Sequence, residues 1–167
     1  EAMVAVTGDE LTPIFAGMVY CGVIDACVGA FDLRRAAEWT EALRRWCDTQ
    51  PGLVAYRGAC LVHRSQVLLA RGSWSEAELE ADRACERLTR PAHPALGLAI
   101  YQRAELHRLR GEWDEAERAY RSAHDHGQEP APGLALLRLA QGRTSAAVAS
   151  IRRMVDEHRY SLGRAPM

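Results

Sequence analysis

Two stretches of this chain are near copies of one another. RGSWSEAELEADRA runs from Arg71 to Ala84, and RGEWDEAERAYRSA from Arg110 to Ala123. They share R-G-x-W-x-E-A-E and a final Ala, with Gly72 and Gly111 standing 39 residues apart. Self-similarity at a fixed period restricts a chain to stacked copies of one supersecondary unit. The residues upstream agree in type: VHRSQVLLARG, Val62 to Gly72, lies against YQRAELHRLRG, Tyr101 to Gly111. Arg64 meets Arg103 and Gln66 meets Glu105, with small or apolar residues at helical spacing around them.

Each copy reads as helix, tight turn, helix. Gly72 and Gly111 sit where a first helix must stop, because glycine adopts the left-handed conformation without a Cβ clash. Ser73, Ser75, Glu112 and Asp114 stand where a second helix begins, and acidic groups there suit the positive end of the helix dipole. Trp74 and Trp113 are expected to clamp the corner. Ala77 with Ala84, and Ala116 with Ala123, let helices approach closely. A weaker copy, AFDLRRAAEWTEALRRW, Ala30 to Trp46, puts Phe31 and Asp32 at the corner and Ala36 at the small position. A fourth, LRLAQGRTSAAVASIRRM, Leu137 to Met154, has Gly142 as its corner, Thr144 as N-cap and Ala147 as the small residue. The expected helices span 12–29 and 33–49, 53–71 and 74–89, 95–110 and 113–126, 132–141 and 144–159. Gln50-Pro51-Gly52, the prolines Pro91 and Pro94, and Pro130 to Gly133 are turn material between them. No segment alternates as a strand would.

Length and composition agree with a folded helical domain. The chain has 167 residues, 48% hydrophobic and 26% charged, enough to bury a core. Its formal net charge is -1, so charge alone predicts no nucleic-acid affinity. All 21 basic residues are arginine, which reads as the codon bias of a GC-rich genome. No apolar run is long enough for a membrane span and no signal peptide is recognisable, so no membrane partner is expected. The opening EAMVAVTGDELTP and the closing RAPM suggest one domain, residues 1–167, cut from a longer chain. Five cysteines without a secretion signal point to reduced thiols in a cytoplasm.

Antiparallel helix pairs with glycine corners and small residues at the close approach resemble tetratricopeptide repeats. The resemblance is specific in the two middle units and degenerate in the outer two. It implies an all-α fold, a right-handed superhelix of about four hairpins whose first helices line a concave, ligand-binding face. A second resemblance covers YCGVIDACVGAFDLRRAAEWTEALRRWCDTQPGLVAYRGACLVHR, Tyr20 to Arg64, and PGLALLRLAQGR, Pro132 to Arg143. Both look like segments of large LuxR-type transcriptional regulators, in which a helical repeat region precedes a DNA-binding helix-turn-helix. That implies an interaction or sensing module, with DNA binding left to the parent chain. The runner-up is a stand-alone adaptor that binds a partner peptide.

Candidate chemistry is sparse. Cys47, Cys60 and His63 suggest a metal at first sight, but a structural zinc site wants four ligands and the fourth is missing nearby. Thiols packed across a helix junction are the simpler reading; a redox pair is the alternative. Cys21 and Cys27 face different sides of a helix. His124 and His126 flank Asp125 at a helix end, where solvated imidazoles suit the dipole. His107 reads as packed or satisfied. No nucleophile has a base at a readable position, so no catalytic residue, metal or cofactor is expected. The polar positions of the first helices form the candidate concave site: Asp25, His63 with Gln66, and Tyr101, Gln102 with Glu105. His63 is equivalent to Gln102 and Gln66 to Glu105, as a repeated lining requires. The ligand would be a protein, a peptide or a small effector. Apolar surface at a repeat end would permit a homodimer.

Overall fold

The computed structural model describes residues 12–49, 54–90 and 92–162, with side chains described over 12–49, 58–90 and 92–156. Every element there is helical: α1 Pro13–Gly29, α2 Leu33–Thr49, α3 Val54–Ala70, α4 Trp74–Thr89, α5 Leu96–Arg110, α6 Trp113–Asp125, α7 Gly133–Ala140 and α8 Thr144–Leu162. These bounds lie within a few residues of those expected. The Gln50-Pro51-Gly52 turn, Pro91 and the closing RAPM fall outside the described residues. No described helix is long and apolar enough to cross a membrane.

The four hairpin corners share one backbone solution. Gly72, Gly111 and Gly142 all take positive φ, at 83°, 79° and 75°. The amide of the following residue bonds a carbonyl five residues back: Ser73 to Leu68 at 3.0 Å, Glu112 to His107 at 2.9 Å and Arg143 to Arg138 at 2.8 Å. The glycine amide bonds three residues back, which completes the Schellman motif. The first corner does the same with Phe31 at φ 56°, its amide bonding Val28 and that of Asp32 bonding Cys27. Asp32 then caps α2, its Oδ1 accepting the Arg35 amide at 3.1 Å.

Two or three residues lie between the helices at each corner, and the start of the last helix corrects one expectation. Thr144 is already the first residue of α8, so Arg143 holds the cap position. Trp74 and Trp113 begin α4 and α6 with 38% and 44% of their surface exposed. The rest of each residue's surface is covered. The close approach is made by alanine: Ala36, Ala77, Ala84, Ala116 and Ala123 have no exposed surface.

Each helix packs on the next, and the first helices also touch one another, α1 on α3, α3 on α5 and α5 on α7. Among the described residues the second helices α2, α4, α6 and α8 make no such contact with one another. The core is accordingly a row of junction clusters. Tyr20, Ile24, Leu43, Cys47 and Cys60 form the first, with Tyr20 between Trp39 and Trp46 at ring separations of 5.8 and 5.6 Å. Val62, Ala84, Leu88, Leu96 and Ala99 join the second hairpin to the third. Ala104, Ala116, Tyr120, Leu134 and Leu137 join the third to the fourth.

Candidate functional site

The six residues expected on the first-helix face separate into two groups. In the first, buried His63 on α3 turns its Nδ1 toward Gln66 Oε1 at 3.2 Å and toward Asp25 Oδ1 on α1 at 3.5 Å. Asp25 keeps 62% of its side chain exposed. Gln66 is half-buried. The second group is a packed network. Glu105 accepts hydrogen bonds from the Tyr120 hydroxyl and, at 2.6 Å, from the Arg108 guanidinium. Tyr101 stacks edge-on against Tyr120 at 5.5 Å, and its hydroxyl oxygen accepts the Gly133 amide at 3.2 Å. Gln102 is buried. The polar atoms of Glu105, Tyr101 and Tyr120 thus face α7, and a Cβ on Gly133 would strike Glu105 and Tyr120. Burial, then the Glu105 charge, raises the Tyr120 and Tyr101 hydroxyls above their ordinary range. Of the six, Asp25 is the exposed one, and Tyr101 and Glu105 serve the α5–α7 junction.

The final Glu of the repeated motif has a role that spacing did not disclose. Glu78 on α4 takes a two-pronged bond from Arg110 at the end of α5, at 2.6 and 2.8 Å, and this holds its carboxyl below the usual range. Its equivalent Glu117 faces Arg143, at 3.8 Å, at the next corner. Each motif therefore reaches forward to the unit that follows.

Open space lies elsewhere. A cavity of about 610 Å³ runs between α4 and α6 over α5. Leu96, Ile100 and Ala119 give it apolar walls, and Arg103, His107 and Arg118 give it polar ones. Its charges are paired, Arg103 with Asp82 at 3.0 Å and Arg118 with Glu115 at 2.9 Å, and the His107 ring lies 2.5 Å from Glu112 Oε2. A second groove of about 310 Å³ lies on the last hairpin, lined by Pro132, Leu136, Leu139, Val148 and Ile151. In register, Leu136 and Ile151 correspond to Glu105 and Tyr120, so this is the face that α7 covers one unit earlier. At the other end Gly22 and Ala26 of α1 are exposed, although their counterparts His63, Gln102 and Gly133, and Val67, Leu106 and Leu137, are buried. Ile14, Phe15 and Met18 stand open beside them.

The five cysteines are thiols. Cys47 and Cys60 are buried in one core cluster, and burial pushes Cys60 up to about 12 and Cys21 to about 11. Among the described residues no three of His, Cys, Asp or Glu gather closely enough to hold a metal. The chain matches no protein-family profile and no curated protein sequence.

Proposed function

We propose that the chain is a tetratricopeptide-like right-handed superhelix that serves as a non-catalytic interaction or sensing module of a LuxR-type transcriptional regulator. The four equivalent corners support the repeat reading. So does the pattern of contact: first helices that touch while second helices do not will curve a stack, with the first helices inside. The observation that carries the interaction reading is the 610 Å³ groove between α4 and α6, apolar on its walls and bordered by paired charges. That size and character suit a peptide or a helix of a partner protein. Asp25 and Gln66 offer a second, polar contact on the first-helix face. DNA binding belongs to another part of the parent, which acts in the cytoplasm. The apolar stripe of α1 and the groove of the last hairpin fit one another's roles in the stack, so copies would join end to end.

The test is the gene. A helix-turn-helix encoded downstream of these residues is the expected finding, and its absence sinks the regulator reading in favour of a stand-alone peptide-binding adaptor. In the full regulator, Ile100→Arg should abolish the transcriptional response and leave DNA binding intact. An unchanged response would remove the α4–α6 groove from the account.

A further inference from the structure

Eleven arginines of the described chain face a carboxylate; of those that do not, three line one small cavity. The cavity, about 190 Å³, lies between α6, the turn before α7, and α8. Arg121 comes from α6, Arg138 from α7 and Arg153 from α8, with His124 and Ser150 between them. None of the three guanidiniums forms an ion pair among the described residues. Their protein bonds are long: Arg121 Nε donates to the Glu117 carbonyl at 3.4 Å, and Arg138 Nη1 to the Ala146 carbonyl at 3.5 Å. Arg138 Nε is buried and has no acceptor. One carboxylate, Glu129, shares the lining, and its Oε1 is occupied by the Ala131 amide at 3.1 Å. Three like charges brought together from three helices repel one another, and a buried N–H without an acceptor opposes folding. An anion in the cavity relieves the repulsion among the guanidiniums.

We propose that this cavity is an anion site for a phosphoryl group, either inorganic phosphate or the headgroup of a small phosphomonoester. Guanidinium forks match tetrahedral oxyanions with paired, charge-assisted hydrogen bonds. The Ser150 hydroxyl and the His124 ring add donors. The volume admits the headgroup and a few attached atoms. This site stands on the cavity alone: binding measured on the purified chain holds whether or not the gene encodes a helix-turn-helix.

The experiment is calorimetric titration of the chain with inorganic phosphate and, separately, with glycerol phosphate, against sodium chloride at matched ionic strength. Saturable heat with phosphate or the ester, and none with chloride, is expected. The tighter of the two ligands distinguishes a free-phosphate site from an effector's headgroup. Arg138→Gln should weaken binding about tenfold to a hundredfold. Arg153→Gln, at an exposed position that keeps the fold, should act in the same direction, and Arg87→Gln on α4 should change nothing. No saturable heat, or equal affinity in all three variants, overturns the site.

Discussion

Phe31 carries the clearest local tension in the chain. It takes the left-handed conformation that glycine takes at the other three corners, and 87% of its surface is exposed. A β-carbon in that region costs about 1–2 kcal/mol, part of which glycine returns as unfolded-state entropy. Phe31→Gly should therefore stabilise the protein by about 0.5–1 kcal/mol, read by urea unfolding. Glu105 behaves in the opposite sense. Glu105→Ala would strand the Tyr120 hydroxyl and the Arg108 guanidinium inside a junction, with an expected loss of about 1–3 kcal/mol. Gln66→Ala, its repeat equivalent, should cost less than about 1 kcal/mol, because among the described residues the Gln66 side chain hydrogen-bonds a single group, the His63 ring. Equal melting of both variants would dismiss the network. The buried thiols add a dependence on pH. Cys60 and Cys21 hold their protons more tightly folded than unfolded, with values of about 12 and about 11 against 9.0. Their contribution is fully present below about pH 9 and is lost as pH rises toward the folded values. Denaturant midpoints should fall through that alkaline window, and less steeply in Cys60→Ala.

At the scale of the element, the hairpins depend on alanines that have no exposed surface. Ala77→Trp and Ala116→Trp should each cost at least about 1–3 kcal/mol through overpacking. Two variants that melt like the parent would show the helix register to be wrong. Glycines also set helix distance outside the corners. Gly97 lies where a Cβ would meet the carbonyls of His126 at 2.8 Å and Ala123 at 3.2 Å. A Cβ on Gly58 would meet the Leu88 side chain. These two also stand 39 residues apart, a repeat signal that the corner motif overshadowed.

For the whole molecule, clusters placed at the junctions make stability a matter of neighbours. The second and third hairpins are packed on both sides and the outer two on one, so amide exchange should be slowest in α3 to α6. Uniform protection would contradict that arrangement. The open ends make a further prediction. If copies join through the α1 stripe and the last groove, Gly22→Arg and Leu139→Arg should each abolish self-association. An equimolar mixture of the two variants should then give a finite dimer, because each retains the face the other lacks. A mixture that stays monomeric in sedimentation equilibrium would refute the end-to-end joint.

Sequence alone determined the parts of this protein that local physics governs. Glycine at a left-handed position, alanine at a repeated interval and apolar periodicity stated the helices, the corners and the pairing into hairpins almost to the residue. Phe31 was legible as a corner because its neighbours repeat, although its residue type argues against the conformation. Tertiary structure decided which faces are free. Glu105 and Gln102 repeat Gln66 and His63 in sequence, but whether a polar side chain meets solvent or the next helix depends on how one unit stacks on another. The same reason hid Arg121, Arg138 and Arg153. They stand far apart along the chain, on three helices, and only the packing of α6, α7 and α8 brings their charges to one cavity.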